Sequence, residues 1–236
     1  MKTPNITHFK LLSGSALKLI ACFSMLSDHL ARFYLVRYHW VNIVWFSFLG
    51  KSISLIQLMT MFGRFAFPIF VFLLVVGFEK TSNRTRYGIS LFVLALLSEI
   101  PFNLMHSSAL FFQKQNVMFT LSLGFLAMYS LDYFKDKPFV KLASLVCLFL
   151  VSRYLHADYQ SAGFVFILLI YGLRKERIIQ CVAAPVLLQM KMMVFLSLSL
   201  TLLYNGKRGF IRTPFLKYFF YAFYPLHMLI IYFLAR

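Results

Sequence analysis

The sequence predicts an all-α integral membrane protein, a single polytopic domain over residues 1–236 with about nine transmembrane helices. The composition, 61% hydrophobic and 13% charged, is typical of a polytopic membrane protein and not of a soluble domain of this length. The apolar residues are grouped in runs, and several of these approach the length of about 20 residues that crosses a bilayer. The 24 Lys and Arg lie in short links between the runs, so the net charge of +17 does not indicate nucleic-acid binding.

Nine apolar runs predict the crossings, at residues 16–35, 60–79, 87–105, 116–134, 139–153, 159–173, 177–190, 192–205 and 216–235. Residues 40–50 are too short to span and contain two tryptophans, which predicts an interfacial or re-entrant segment. Residues 178–204 are long enough for one helix, but Pro185 and Lys191 interrupt them, and two helices are therefore predicted. The N-terminal segment has no signal-peptide cleavage pattern, so the first helix is expected to be retained.

The distribution of Lys and Arg predicts the orientation, because cytoplasmic loops carry an excess of these residues. With a cytoplasmic N-terminus and nine crossings, sixteen of the 24 fall on the inner side and the other eight on the outer side. One helix over 178–204 would move the basic segment 206–217 outside, which favours nine crossings with the C-terminus outside. The sixteen inner residues are Lys2, Lys10, Lys18, Lys80, Arg84, Arg86, Lys135, Lys137, Lys141, Arg174, Lys175, Arg177, Lys207, Arg208, Arg212 and Lys217.

Asp28 and His29 interrupt the first apolar run about two-thirds of the way along it. An acidic residue at that depth costs on the order of 2.5–3.5 kcal/mol, so an intramembrane ionisable residue is a functional-site hypothesis. Lys18 lies close to three helical turns before His29, which places both on one face, separated by about 16 Å. A structural alternative remains, in which Asp28 pairs with Arg32 one turn later and His29 is a satisfied bundle histidine.

Further polar residues fall at a similar depth in other predicted helices, from mid-membrane towards the outer side. Two of them lie near prolines that kink a helix, Arg64 before Pro68 and His227 after Pro225. Pro101 is predicted to end the third helix. The structural alternative is ordinary kinking with a buried Arg64–Glu99 ion pair. With Asp28 and His29, the members of this polar layer are Arg64, Glu99, Asn116, Thr120 and His227.

The inner loops offer a second kind of site. Residues 79–88 contain Lys80, Arg84 and Arg86, and residues 204–217 contain further cations beside Gly206 and Gly209. Basic side chains and exposed backbone N–H groups suit phosphate. The alternative is that these loops are basic only because they set the topology.

Several segments, in this order, resemble the TraX family: LIACFSMLSDHL, GRFAFPIFVFLLVVGFEKT, SEIPFNL, NVMFTLSLG, YNGKRG and FYAFYPLHMLIIY. The resemblance covers residues 16–235, and the family is named for a membrane protein that acetylates the N-terminus of a conjugative pilin. The family is similar to the wider transmembrane acyltransferase superfamily, in which a basic residue precedes a histidine on the first helix by this spacing. Lys18 stands here where arginine is more usual, which keeps the charge but loses the bidentate fork.

The resemblance implies an acetyl-CoA-dependent acetyltransferase in the bacterial inner membrane, with His29 as catalytic base or transient acetyl acceptor. It places Asp28, Glu99 and His227 around that base. Arg64 and Asn116, with Thr120 on the same helix face, would position substrate or donate to the developing oxyanion. No metal is expected. The residues expected to bind acetyl-CoA are Lys18, Arg84, Arg86, Lys207 and Arg208.

Two rival functions and several open points remain at this stage. Buried Asp, Glu and His could relay protons in a secondary transporter or flippase, although no convincing inverted repeat is visible. The second rival is a scaffold or assembly subunit embedded in membrane lipid, and this function would not explain the buried charges. The acceptor, a pilin N-terminus or a surface glycan, is not determined by the sequence, nor are an acetyl-histidine intermediate and the oligomeric state.

Overall fold

The computed structural model describes residues 10–48, 51–111, 114–188, 190 and 192–236. Lys2 and Lys191, which entered the charge count and the division of residues 178–204, lie outside the described residues. The described residues form ten α-helices and one two-stranded sheet. In chain order the elements are α1 (Gly14–His29), β1 (Val44–Phe48), β2 (Lys51–Ser54), α2 (Leu55–Gly63), α3 (Ala66–Lys80), α4 (Arg84–Ser107), α5 (Val117–Tyr133), α6 (Pro138–Tyr154), α7 (Gln160–Gly172), α8 (Arg177–Leu187), α9 (Met192–Leu202) and α10 (Pro214–Leu234).

Three helical segments are long and apolar enough to cross a membrane: Gly14–Arg37, Leu55–Lys80 and Arg84–Ser107. Several shorter apolar helices follow them. These lengths support the predicted class, a helical integral membrane protein. The number of crossings and the cytoplasmic N-terminus remain predictions.

Hydrogen bonds and ion pairs define two ends of the bundle. At the basic end, Leu12 N–H donates to Leu203 O at 2.9 Å, and Arg174 Nε lies 2.9 Å from Glu79 Oε1. At the far end, Arg37 Nη2 donates to Ala235 O at 2.6 Å. The start of α1 and the end of α10 therefore lie at opposite ends, which agrees with an odd number of crossings.

Helices α8 and α9 are too short to cross a bilayer singly. Each has 11 residues, about 16 Å of helix against about 30 Å of hydrocarbon. The Arg177 guanidinium at the start of α8 lies 5.5 Å from the ring centroid of Tyr204, just beyond α9. The pair therefore enters and leaves at the basic end, as a re-entrant hairpin does. Leu188 and Met190, at its turn, pack against the main hydrophobic core, so the structure does not confirm the predicted crossings at 177–190 and 192–205.

Prolines act in two different ways. The predicted second helix is broken at Arg64 and Phe65, and Pro68 lies in the first turn of α3, where no intrahelical partner for its missing N–H is needed. The prediction that Pro101 ends the third helix is wrong, because α4 continues through Pro101 to Ser107. Ser108 then caps the helix in a left-handed conformation, with φ of 54°. Because α4 is longer than predicted, His106 lies within this helix, at the far end of the bundle.

The segment predicted to be interfacial or re-entrant contains strand β1, which pairs antiparallel with β2. The all-α prediction missed this hairpin. Its β-branched and aromatic residues favour a strand, but they are also apolar, so the run was interpreted from its hydropathy as a membrane segment. Trp40 and Trp45 are 56% and 58% exposed, which agrees with a location at the membrane interface.

Cysteine labelling tests the re-entrant hairpin. In a Cys147→Ser background, which removes the exposed native thiol, Arg212→Cys should react with a water-soluble maleimide only after cells are permeabilised. Leu110→Cys should react from outside, and Leu187→Cys should react from neither side because the hairpin tip lies within the hydrocarbon. Labelling of Leu187→Cys from outside would establish two full crossings, and reversed labelling of the first two variants would invert the orientation.

Candidate active site

Two histidines from opposite ends of the sequence meet at the far end of the bundle. His29 Nδ1 lies 2.8 Å from His227 Nε2, across 198 residues of sequence. The two imidazole rings are parallel to within 4°. His227 is 4% exposed, and its Nδ1 lies 2.8 Å from the backbone carbonyl oxygen of Phe223. The contact joins the last residue of α1 to the middle of α10.

The Phe223 carbonyl determines which nitrogens carry protons. A carbonyl oxygen only accepts, so His227 Nδ1 must donate to it. In the neutral ring, His227 Nε2 is then an acceptor, and His29 Nδ1 must donate to that atom. The remaining nitrogen of neutral His29, Nε2, carries a lone pair. Nε2 has no hydrogen-bond partner among the described residues, so the arrangement prepares His29 as a proton acceptor or nucleophile.

Local backbone irregularity accompanies both histidines. Regular α-helix ends at His29 and continues as a π-helical turn over Leu30–Tyr34, a deviation often found at functional sites. Pro225 lies inside α10 two residues before His227, and it removes one intrahelical hydrogen bond. The Phe223 ring stacks on His227 with centroids 5.0 Å apart, which fixes the plane of the imidazole.

A third histidine, His106 near the end of α4, was not predicted. Phe33 separates it from His29, with ring centroids 6.1 Å from His29 and 4.6 Å from His106. His106 Nδ1 lies 2.9 Å from Phe102 O, one turn earlier on the helix. Its place in the site depends on the helix continuing past Pro101, which is why the sequence pattern assigned it to an outer loop.

Asp28 forms the pair that was the structural alternative for this position. Arg32 Nε lies 2.9 Å from the Asp28 carboxylate, and the side chains of Arg32 and Asp28 are 50% and 19% exposed. On its other side Asp28 packs against Gly63, where an added Cβ would lie 2.7 Å from Asp28 Oδ1. Asp28 therefore holds Arg32 beside the histidine pair and fixes the approach of α1 to α2. The i,i+4 spacing from Asp28 was the one sequence signal that pointed to Arg32.

Glu99 pairs with Asn116 and not with Arg64, so the structural alternative of a Glu99–Arg64 ion pair is not formed. Asn116 Nδ2 lies 2.6 Å from Glu99 Oε2 and 2.9 Å from Ala95 O. Its Oδ1 accepts the Met118 N–H at 3.0 Å, as the N-cap of α5. Both amide hydrogens are therefore used, and Asn116 has none left for an oxyanion. Glu99 Oε1 is buried and has no partner among the described residues.

Thr120 and Arg64 complete the predicted substrate-positioning set. The Thr120 hydroxyl donates to Asp158 O at 2.5 Å, so its proton is also used. Arg64 lies at the break between α2 and α3, within electrostatic range of Asp28. Of the three residues expected to position substrate or stabilise an oxyanion, only Arg64 retains donors. Arg32 is a second candidate for that role.

Cations and aromatic rings cluster at the basic end. The Lys18 ammonium lies 5.2 Å from the centroid of Phe220 and 5.4 Å from that of Tyr221. Lys217 Nζ lies 5.7 Å from the Tyr221 centroid, and both Arg208 and Lys217 act electrostatically on Lys18. None of the ion pairs found among the described residues involves these three cations. Lys18 and His29 both contact α10, which confirms that they share one face of α1.

The other predicted phosphate ligands differ in availability. Arg84 is held by an ion pair with Asp132 and lies 4.2 Å from the Phe78 centroid, so it is already partnered. Arg86, Lys207 and Arg208 have exposed side chains. The carbonyls of Lys207 and Arg208 accept the N–H groups of Gly14 and Ser15 at 2.9 and 2.8 Å, which satisfies the first turn of α1.

Gly209 allows this close backbone contact. It has φ of 89°, and an added Cβ would lie 2.8 Å from the Cβ atoms of both Ser13 and Ser15. No group of three metal-ligating side chains occurs within the described ranges. The described residues therefore place a cluster of cations at the basic end and a histidine pair at the far end.

These features define a helical membrane protein with a histidine-centred site about three helical turns from a cluster of unpaired cations. The chain belongs to the TraX family, which it matches over residues 13–235 as TraX protein. That family is associated with the processing of conjugative pilin. No curated protein and no solved structure matches the chain.

Proposed function

We propose that the protein is a membrane-embedded acetyltransferase that moves acetyl from cytoplasmic acetyl-CoA to an acceptor amine or hydroxyl at the outer side of the bacterial inner membrane. The observation that carries the proposal is the chain of contacts from the Phe223 carbonyl through His227 to His29. It leaves a lone pair on His29 Nε2, on the α1 face that also presents Lys18. Family membership supports acyl transfer at such a histidine.

The reaction follows from the atoms at hand. His29 Nε2 removes a proton from the acceptor as the acceptor attacks the thioester carbonyl carbon. The carbonyl electron pair moves to oxygen, where Arg64 or Arg32 supplies positive charge. The intermediate collapses, the CoA thiolate leaves, and the proton on His29 Nε2 passes to that sulfur. The same lone pair would attack the carbonyl carbon itself if acetyl-histidine forms first.

His227 assists by accepting from His29 Nδ1. As His29 takes up a proton, its positive charge is spread towards His227 Nε2 and, through His227, towards the Phe223 carbonyl. The role resembles that of the carboxylate that orients a catalytic histidine in other enzymes. His227 is therefore a positioning residue, and His29 is the catalytic residue.

A thiol-release assay tests the function and its rivals. Purified protein in lipid nanodiscs, given acetyl-CoA and a peptide with a free amino terminus, should release free CoA in proportion to acetylated peptide. A proton-coupled transporter, flippase or scaffold should release none. Absence of CoA release with amine and hydroxyl acceptors alike would reject the acetyltransferase proposal.

Charge-removing variants at the basic end test where the donor binds. Lys18→Gln and Arg208→Gln should each weaken acetyl-CoA binding about fivefold, corresponding to about 1 kcal/mol for one lost charge–phosphate contact. The loss at the exposed Arg208 should shrink at high salt, because exposed charges are screened over about 8 Å at physiological ionic strength, and the loss at the half-buried Lys18 should shrink less. Binding is measured by calorimetry at matched salt.

Lys135→Gln is the control, because Lys135 is an exposed cation in the link between α5 and α6, at the same end. Arg84→Gln tests a predicted phosphate ligand that already has a partner. Because Arg84 is paired with Asp132, its loss should mainly lower the melting temperature and should have less effect on the affinity for acetyl-CoA. Wild-type affinity in Lys18→Gln and Arg208→Gln would mean that these cations only set the topology.

A further inference from the structure

A second group of cations at the basic end lies against Tyr204, just beyond α9. The Arg177 guanidinium is 5.5 Å from the centroid of the Tyr204 ring and 5.6 Å from that of Phe72. Lys80 Nζ is 5.5 Å from the Tyr204 centroid and donates to the backbone carbonyl of Gly206. One aromatic ring therefore brings together a cation from the end of α3 and a cation from the start of α8.

The two rings under these cations are fixed by the core. Tyr204 and Phe72 are both buried, with their ring centroids 5.5 Å apart and their planes at 83°. The backbone beside Tyr204 is also held, because the Asn205 N–H donates to Leu12 O at 2.9 Å. The cations are therefore presented from a rigid support, which lowers the entropy lost when they bind a ligand.

No carboxylate neutralises Lys80 or Arg177 among the described residues, since neither belongs to an ion pair found there. The carboxylate next to Lys80, that of Glu79, is occupied by Arg174 at 2.9 Å. Glu176, the residue before Arg177, has an exposed side chain and forms no ion pair within the same ranges. A guanidinium that rests on aromatic rings keeps its N–H groups, which point outward in its plane, for a phosphate.

The space beside this cluster is open at Gly206. That residue has φ of 78°, and a Cβ added to it would have no atom within 4 Å. Gly209 differs, because its added Cβ would collide with Ser13. An anion can therefore approach the backbone at Gly206, where the Lys80 ammonium is bound.

Residues 204–209 connect this cluster to the cations around Lys18. The carbonyls of Lys207 and Arg208 accept N–H groups from the start of α1, and Arg208 acts electrostatically on Lys18. Gly206 and Arg208 are two residues apart, so their Cα atoms are separated by at most about 7 Å. One ligand that carries two separate phosphate groups can therefore contact both clusters.

We propose that Lys80 and Arg177 bind the ribose 3′-phosphate of the acetyl-CoA donor. The cluster around Lys18 then binds the pyrophosphate of the same molecule. The inference rests on the proposed function and divides its donor site into two subsites. The 3′-phosphate is a monoester with about 1.5 to 2 negative charges near pH 7, which favours a guanidinium fork beside an ammonium group.

The direction of the donor follows from its covalent structure. The arm that ends in the thioester leaves CoA at the pyrophosphate, whereas the 3′-phosphate lies on the ribose beyond it. Lys18 is on the face of α1 that leads to His29, so the pyrophosphate belongs beside Lys18. The 3′-phosphate then extends away from α1, towards Lys80 and Arg177.

The test compares CoA with dephospho-CoA, which lacks only the 3′-phosphate. Binding is measured by calorimetry at matched salt, in nanodiscs of phosphatidylcholine alone, so that no lipid supplies a phosphate monoester. Wild type should bind CoA about tenfold more tightly than dephospho-CoA. Arg177→Gln should weaken CoA binding about fivefold and leave the affinity for dephospho-CoA within about twofold. Arg208→Gln should weaken the binding of both nucleotides by the same factor.

Two further variants separate ligand binding from structural effects. Arg177→Lys should retain part of the preference for CoA, because lysine keeps the charge and loses the fork. Lys175→Gln is the control, since Lys175 is an exposed cation in the same link between α7 and α8, and it should match wild type. If Arg177 only supports the rings, Arg177→Gln will lower the melting temperature and change both affinities equally.

Such an equal change would reject the subsite, and so would equal binding of CoA and dephospho-CoA by wild type. Neither measurement requires turnover. Absence of CoA release from acetyl-CoA would instead reject the proposed reaction, while the difference between the two nucleotide affinities would still test the subsite.

Discussion

His29→Ala is expected to abolish CoA release from acetyl-CoA while leaving insertion and melting unchanged. The variant removes the atom that takes the acceptor proton, and general acid–base catalysis contributes about 10²–10⁴-fold in rate. His29 is half-buried beside His227 and Phe33, so its truncation opens little of the main core. The measurement is the rate of thiol release by purified protein, with affinity for acetyl-CoA determined separately.

The exposed His39, in the turn after the first helix, is the matched control, and His39→Ala should retain wild-type activity. His227→Ala should lower kcat less than His29→Ala, by about 10–100-fold, because partners that orient a reactive imidazole have effects of that size. The KM for acetyl-CoA should change little in both variants. Wild-type turnover in His29→Ala would reject the assignment of the base, and wild-type kcat in His227→Ala would reject the positioning role.

The parts of the site that the sequence predicted depend on local spacing along one helix. Lys18 and His29 are related only by the helical repeat, and both were correctly placed on one face of α1. The Asp28–Arg32 pair follows the i,i+4 rule and is also found. A kink was predicted near Arg64 from Pro68, and the structure breaks the helix at Arg64 and Phe65. In each case the residues concerned are close together in the sequence, so their relation could be predicted without knowing how the helices pack.

The remainder depends on contacts between distant segments. Nothing in the spacing of His29 and His227 shows that their nitrogens meet at 2.8 Å across 198 residues. Asn116 was expected to donate to an oxyanion, but its hydrogens are taken by Glu99 and Ala95. Pro101 was expected to end a helix, and its tolerance inside α4 brings His106 into the site. These outcomes are decided by which hydrogen bonds tertiary packing supplies.

The link between α6 and α7 shows a different limit of the sequence. His156, Tyr159 and Gln160, the first residue of α7, have φ angles of 49°, 65° and 42°. Positive φ at His156, Tyr159 and Gln160 has no sequence signature, because none of these is the glycine or asparagine that usually marks such a position.

Gly63→Ala is expected to reduce turnover strongly by displacing α1 from α2. A Cβ at residue 63 would lie 2.7 Å from Asp28 Oδ1 and 2.8 Å from Asp28 Cγ. Side chains cannot accept this approach, so Asp28 and with it the neighbouring His29 must move. A displacement of about 1 Å at a reacting group can cost about 100-fold in rate. Thiol release should therefore fall by about that factor, and the melting temperature should fall as well.

The chain offers both a control and a rescue for this prediction. Gly172 in α7 has no atom within 4 Å of an added Cβ, so Gly172→Ala should be silent or slightly stabilising, since alanine is the better helix former. Asp28→Gly added to Gly63→Ala removes the side chain that Cβ63 meets. Recovery of activity in the double variant would show that Asp28 acts by spacing the helices, because its carboxylate is then absent. If Gly63→Ala alone retains wild-type turnover, the close contact between α1 and α2 does not position His29, and the geometry of the histidine pair must be maintained by α10 alone.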